Sequence, residues 1–298
     1  MTAASLFGWP APAHAIEDAV IEVVGVPSDA GNGIAAGARF APTAIRRASM
    51  ALRPDACGVD HGDIGNVHGC DWERVLENVE QTVNAIIRRT SLPIILGGDH
   101  AISYAGVAAA CDCRPLNIVW FDAHTDFCAW ENQSWHNHKQ VLRRIAGLDH
   151  VGRIIQIGHR GITYVDEADR FERLTVITAT RALNLPPAMI LDHLPVDEPI
   201  YLSIDIDVLD PRCAPGTGHP VPGGLSVAQV SEVARAIASN RHIVAADVME
   251  VNPLLDHQDM TSTAAATILS ELVTTIARAD RLRRPDRGPR SARAARVS

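Results

Sequence analysis

Short apolar runs rich in β-branched residues alternate along the chain with longer amphipathic stretches. The runs are continuously apolar, which is typical of strands buried on both faces of a parallel sheet. We predict seven strands, at 21–27, 93–98, 116–122, 153–158, 174–178, 199–205 and 242–247. Helical patterns occur at 71–89, 226–239 and 261–279, and Pro42 suits the first turn of another helix. This order predicts a single α/β domain with a central, mostly parallel sheet and helices on both faces.

Composition and charge narrow the range of partners. The 298 residues, 47% of them hydrophobic, are enough to bury a large core. The formal net charge of −8 argues against nucleic acid as a partner, because duplex binding needs a basic face. No stretch approaches the ~20 apolar residues of a membrane helix, and the six cysteines follow no framework spacing. We therefore expect a cytoplasmic protein with free thiols that binds neither nucleic acid nor a membrane.

Three of the predicted strands end in clusters of metal-binding residue types, at 97–100 (GGDH), 122–126 (DAHTD) and 205–207 (DID). The carboxyl ends of parallel strands meet at one edge, and residues i and i+2 of an extended segment point to the same side. Carboxylates and imidazoles together suit Mn, Fe, Co or Ni, and six ligands exceed what one tetrahedral zinc ion uses. The sequence therefore predicts two ions about 3.5–4 Å apart. The candidate ligands are His100, Asp122, His124, Asp126, Asp205 and Asp207.

Five segments resemble motifs of the ureohydrolase family, which includes arginases and agmatinases. They are GGDH (97–100), WFDAHTD (120–126), SIDIDVLDP (203–211), APGTGHPVPGGL (214–225) and DVMEVNP (247–253), in the family's order. The resemblance is nearest to agmatinase and guanidinobutyrase types. It implies one arginase-like domain, which we place at 1–280 with an Arg-rich tail at 281–298. It also implies a binuclear centre, with manganese as the expected metal and nickel as the alternative, and a homo-oligomer, trimeric or hexameric.

The resemblance further implies a role for each candidate residue. One ion takes His100, Asp122, Asp126 and Asp205, and the other takes Asp122, His124, Asp205 and Asp207. Glu250 corresponds to the glutamate that binds the guanidinium group of the substrate, and a carboxylate is the natural bidentate partner of that cation. A hydroxide shared by the two ions attacks the guanidinium carbon, with Asp126 accepting its hydrogen bond. The expected products are urea and an amine.

The loop after the second cluster departs from the family pattern. The proton-donating histidine of agmatinases corresponds to His136, but Asn137 stands where glycine is expected, and His138 is the alternate donor. Trp135 on the same loop and His159 after the fourth predicted strand are further candidates for contact with the substrate. These departures leave the substrate open among guanidinobutyrate, guanidinopropionate, agmatine, formiminoglutamate and other guanidines or biguanides.

Two other functions stay open at this point. The chain could be a non-catalytic subunit that assembles with an active paralogue, which the altered loop at His136 favours and the complete ligand set disfavours. It could also be a deacylase with a single zinc ion, although that arrangement needs fewer acidic ligands than the chain offers.

Overall fold

The computed structural model describes residues 4–12, 19–32, 35–64, 72–128, 137–161 and 171–283. In this part of the chain eight strands form one sheet: β1 (Ile21–Gly25), β2 (Gly58–Asp63), β3 (Leu92–Leu96), β4 (Leu116–Phe121), β5 (Val151–His159), β6 (Leu174–Thr178), β7 (Pro199–Asp205) and β8 (His242–Met249). Their order is β2-β1-β3-β8-β7-β4-β5-β6, and every neighbouring pair is parallel. The predicted single α/β domain is confirmed, and all seven predicted strands are present with small shifts at their ends.

Helices cover both faces of this sheet. Those described are α1 (Ala41–Ser49), α2 (Trp72–Arg88), α3 (Ser103–Ala109), α4 (Val141–Ala146), α5 (Ala179–Ala182), α6 (Pro187–Leu191), α7 (Val227–Asn240) and α8 (Met260–Arg283). Val23 belongs to the core cluster that contains Ile45 of α1 and Leu269 of α8. Its neighbour Val24 belongs to the cluster that contains Val79 of α2. Successive strand residues thus enter opposite cores, which explains why the strands read as continuous apolar runs.

Strand β2 was not predicted from the hydrophobic pattern. Its sequence, GVDHGD, has two glycines and three polar side chains instead of an apolar run. It lies at the edge of the sheet beside β1. The Arg46 side chain of α1 donates from Nε to Oδ2 of Asp60 (2.8 Å) and from Nη2 to Oδ1 (2.9 Å), and it also pairs with Asp63. This buried ion pair anchors the polar half of a strand that has little apolar surface to bury.

The strand order places the predicted clusters side by side. Strands β3, β8, β7 and β4 are consecutive in the sheet and parallel, so their carboxyl ends lie at one edge. His100 follows β3, Glu250 follows β8, Asp205 ends β7 and Asp122 follows β4. The topology therefore converts four separate segments of sequence into one site.

Within the described residues no disulfide bond is formed by Cys57, Cys111, Cys113, Cys128 or Cys213. None of the described helices combines the length and the apolar character needed to cross a membrane.

Candidate metal centre

Two groups of metal-binding side chains lie at this edge of the sheet. In the first, His100, Asp122 and Asp126 present ligand atoms that all lie within 4.8 Å of one another. Nδ1 of His100 lies 3.4 Å from Oδ2 of Asp122 and 3.5 Å from Oδ2 of Asp126. Oδ2 of Asp205 lies 3.0 Å from the same nitrogen. All four side chains are buried, so one imidazole nitrogen faces three enclosed carboxylates.

The second group consists of Asp122, His124 and Asp207. Nδ1 of His124 lies 2.9 Å from Oδ2 of Asp207 and 3.5 Å from Oδ1 of Asp122. Asp122 therefore faces the first group with Oδ2 and the second with Oδ1. The structure brings all six predicted ligands together, with one carboxylate common to both groups.

Turns at the strand ends explain how these side chains converge. The carboxylate of Asp205 accepts a hydrogen bond from the N–H of Asp207 (2.8 Å) and caps a 3-10 turn over Ile206–Val208. Asp122 accepts in the same way from the N–H of His124 (2.6 Å). Each aspartate thus fixes the main chain that carries the next ligand, which keeps the i and i+2 side chains on one side.

A layer of polar side chains beneath the ligands orients His100. Trp120, Ser203 and Asp247 are opposite one another across β4, β7 and β8. The His100 ring stacks on Trp120, with centroids 3.9 Å apart and planes at 8°. Its Nε2 donates to Oγ of Ser203 (2.8 Å), which donates to Oδ1 of Asp247 (2.6 Å). These two successive hydrogen bonds fix the ring so that Nδ1 faces the carboxylates. A hydrogen bond to the second nitrogen commonly has this effect on metal-binding histidines.

This layer was not predicted from the sequence. Trp120 and Ser203 stand two residues before Asp122 and Asp205, so strand periodicity places them on the same side as those ligands. That spacing is the signal that could have found two of its three members. The place of Asp247 depends on the register between β7 and β8, which the sequence alone does not supply.

The electrostatics of the cluster fit bound cations. Burial and the neighbouring Asp122 carboxylate raise the pKa of Asp126 well above its usual range. Burial and the carboxylates of Asp207 and Asp122 do the same to the pKa of Asp205. Although burial opposes its charged form, Asp207 and Asp122 raise the pKa of His124 to about 12. Carboxylates held this close need positive charge between them, and a set of four carboxylates and two imidazoles suits divalent transition metals.

Glu250 lies beside the two groups in a left-handed backbone conformation, with φ of 63°. Its N–H donates to the carbonyl of Gly98 (2.8 Å), and its Oε1 accepts from the N–H of His100 (2.9 Å). Nδ2 of Asn32 lies 3.4 Å from Oε2. Burial and the nearby Asp99 carboxylate raise the pKa of Glu250 to about 8. A buried carboxylate that repels its anionic neighbours is suited to receive a cationic group of a ligand.

His138 belongs to the described part of the altered loop, and it is buried beside Glu250. Its Nδ1 lies 3.6 Å from Oε1 of Glu250, and its ring centroid lies 5.1 Å from that of His219. Burial, together with His219 and Lys139, lowers the pKa of His138 to about 3. The imidazole is therefore neutral at physiological pH and can give or accept one hydrogen bond at Nδ1.

Of the other predicted substrate-binding residues, only His159 lies within the described part of the chain. His136 and Trp135 lie outside the described residues. His159 ends β5, where its backbone is opposite Thr178 of β6. Its contact with a substrate stays a prediction.

The family model described as "Arginase family" matches residues 19–274, which span most of the chain and include every ligand named above. The chain belongs to the arginase family. The resemblance carried by the five motifs is thereby confirmed, and the chain is an enzyme of the metal-dependent amidinohydrolase class.

Individual arginase-family members are similar over nearly their whole lengths. Guanidinopropionase of Pseudomonas aeruginosa is 32% identical over 280 residues, covering 86% of this chain and 86% of that protein. Agmatinase of Bacillus subtilis is 31% identical over 272 residues, covering 86% and 92%. The solved structure of proclavaminate amidinohydrolase from Streptomyces clavuligerus superposes with a TM-score of 0.83 at 30% identity, covering 94% of this chain and 98% of that chain. The arginase fold is therefore shared from end to end.

Proposed function

We propose that this chain hydrolyses a small guanidino compound with two divalent metal ions and releases urea and an amine. The observation that carries the proposal is the pair of ligand groups that share Asp122, with the buried carboxylate of Glu250 beside them. The names of the relatives guanidinopropionase and agmatinase support a guanidino substrate. Mn is the proposed metal, and Ni is the alternative that an imidazole-containing ligand set also suits.

The six ligands divide between the two ions in this proposal. One ion takes His100, Asp122, Asp126 and Asp205, and the other takes Asp122, His124, Asp205 and Asp207. When bound, two such ions would lower the pKa of a water molecule and so supply a nucleophile for an electrophilic carbon near neutral pH. Asp126, in the first group, accepts the hydrogen bond of that nucleophile.

Glu250 holds the guanidinium group of the substrate. Its two oxygens are oriented by the N–H of His100 and the side chain of Asn32, so they can present a bidentate acceptor to a planar cation. His138 contributes a neutral imidazole beside this carboxylate and serves to orient the substrate. Its low pKa favours His136 as the group that protonates the leaving amine, because a general acid must carry a proton near neutral pH.

Urea release from a panel of guanidino compounds tests the proposal. The panel contains agmatine, guanidinopropionate and guanidinobutyrate, supplied to the Mn-loaded and the Ni-loaded chain. Asp122→Asn removes the shared carboxylate and is expected to lower turnover by at least 100-fold, as loss of a group that organises the whole site does. Asp112→Asn, an exposed aspartate whose nearest cationic partner is 3.9 Å away, is the matched control. Unchanged urea release by Asp122→Asn would refute the assignment.

Turnover by the chain purified alone also separates an enzyme from a non-catalytic partner subunit. A homo-oligomer, trimeric or hexameric, is proposed from the family resemblance. Sedimentation velocity at micromolar concentration tests it, and a monomer there would contradict it.

A further inference from the structure

Arg160 follows the carboxyl end of β5, and main-chain carbonyl groups surround its guanidinium group. Nε and Nη2 donate to the carbonyl of Val221 (3.0 and 2.8 Å), and Nη1 donates to that of Gly158 (3.1 Å). Nη1 and Nη2 also donate to three successive carbonyls at the end of β7: Val208 (3.1 Å), Asp207 (2.7 Å) and Leu209 (3.0 Å). One side chain therefore joins the end of β5, the turn that carries Asp207, and the loop around Val221.

The main chain of Arg160 closes a ring of hydrogen bonds with the second ligand group. Its N–H donates to the carbonyl of Ala123 (2.9 Å), which stands between Asp122 and His124. The N–H of Ala123 donates to Oδ1 of Asp207 (3.0 Å), and the carbonyl of Asp207 accepts from the Arg160 side chain. Asp207 is thus held at its carboxylate and at its backbone, while its Oδ2 faces His124.

The same side chain fixes the loop that carries His219. Val221 is two residues beyond His219, and its carbonyl accepts two of the six hydrogen bonds. The His219 ring lies 6.0 Å from that of His124. The guanidinium group packs so closely against Gly224 that a Cβ atom there would lie 2.5 Å from Nη2 of Arg160. The positions of the His219 loop and of the ligand Asp207 therefore both depend on the guanidinium group of Arg160.

The geometry requires an arginine. A guanidinium group has five donors in a rigid plane, so it can reach carbonyls on three segments at once. A lysine at this position keeps the positive charge but has one donor atom, which cannot reach all five carbonyls. Arg160→Lys therefore separates the geometric effect of the side chain from its charge.

We propose that Arg160 is a positioning residue that sets Asp207, and the loop bearing His219, for the ion held by His124 and Asp207. This inference rests on the proposed function, because it assumes that the second ligand group binds an ion. It predicts that loss of Arg160 weakens the binding of one of the two ions selectively. His100, Asp126 and their supports lie outside the ring of hydrogen bonds that Arg160 closes.

Titration of the metal-free chain with MnCl2, followed by calorimetry and EPR spectroscopy, tests the inference. We expect Arg160→Lys to bind the first ion as the wild-type chain does and the second 10- to 100-fold more weakly, which is the usual cost of losing a group that orients a ligand. The EPR signal of two interacting ions should give way to that of one isolated ion at Mn²⁺ concentrations that saturate the wild type.

Arg241→Lys is the matched control. The Arg241 guanidinium also binds main-chain carbonyls, at Leu191 and Leu194, but it lies at the amino end of β8, across the sheet from the site. Arg241→Lys should therefore bind both ions as tightly as the wild-type chain does. Equal binding of the second ion by Arg160→Lys and the wild type would overturn the inference. A wild-type chain that binds fewer than two ions would instead contradict the proposed function.

Hydrogen–deuterium exchange of the wild-type chain provides a second test that needs no variant. If Arg160 couples the two segments, Mn²⁺ should slow exchange in residues 219–225, which contain no proposed ligand, and leave residues 191–196 unchanged. Unaltered exchange in 219–225 under conditions where both ions bind would overturn the inference as well.

Discussion

Ser203 is the link between His100 and the buried Asp247, and Ser203→Ala tests how far the metal centre depends on it. The hydroxyl accepts from Nε2 of His100 (2.8 Å) and donates to Oδ1 of Asp247 (2.6 Å). Alanine removes both hydrogen bonds without adding volume. Tyr201 continues to donate to Oδ2 of Asp247 (2.7 Å), so the carboxylate keeps one of its partners.

The size of the effect follows from these contacts. Two buried groups, the imidazole N–H of His100 and Oδ1 of Asp247, lose a partner, and each such loss costs about 1–3 kcal/mol. Stability of the metal-free chain should therefore fall by about 2–6 kcal/mol. The imidazole also gains freedom to turn its Nδ1 away from the carboxylates, which should weaken metal binding by about 10- to 100-fold.

Competition with a fluorescent chelator measures the metal affinity, and urea-induced unfolding of the metal-free chain measures the stability. Ser231→Ala is the control: this serine is equally buried, on α7, and its hydroxyl has no hydrogen-bond partner among the described residues. It should leave the metal affinity unchanged and should not lower the stability, because it removes no hydrogen bond and alanine favours a helix. Metal binding by Ser203→Ala as tight as that of the wild type would show that stacking on Trp120 alone orients His100.

Three further changes have defined outcomes. Glu250→Gln keeps the shape but loses the charge that pairs with a guanidinium, so kcat/KM should fall about 10- to 100-fold, mainly through KM; an unchanged KM would contradict its role. Although burial opposes its charged form, hydrogen bonds from His61 and Arg89 lower the pKa of Glu22 to about 2. Its charge therefore stabilises the fold above pH ~4.5 by about 2–3 kcal/mol, and this contribution is lost as pH falls toward ~2. In urea unfolding, the free energy of unfolding of the wild type should exceed that of Glu22→Gln at pH 7, and the difference should narrow on acidification. A difference that stays constant with pH would refute this role of the Glu22 charge. Gly37 has φ of 135°, and a Cβ there would clash with Asn252. Gly37→Ala should thus lower the melting temperature more than Gly62→Ala, whose φ of 74° imposes strain without a clash; equal losses would contradict this.

The hydrophobic pattern predicted the seven apolar strands because parallel strands covered on both faces need no alternation. It missed β2, because a strand at the sheet edge can be held by an ion pair such as that of Arg46 with Asp60. The strand-end ligands could be predicted from i, i+2 spacing and from the topology rule for parallel sheets.

Strand periodicity could have placed Trp120 and Ser203 on the ligand side of the sheet, but the contacts that complete the support of the site were beyond the reach of sequence reasoning. Ser203 and Asp247 become neighbours only through the register of β7 and β8. Asn32 reaches Glu250 from a loop 218 residues away in sequence. Such contacts are set by how elements pack, and no local pattern encodes them.

The number of metal ions per chain, measured by elemental analysis after loading with Mn²⁺ and removal of excess metal, tests the central claim most directly. We expect two ions for the wild-type chain and one for Asp207→Asn, which removes a ligand from the second group alone. We also expect loss of both tight sites in Asp122→Asn, because that carboxylate belongs to both groups. One ion or none in the wild type, or two ions retained by Asp122→Asn, would contradict the claim.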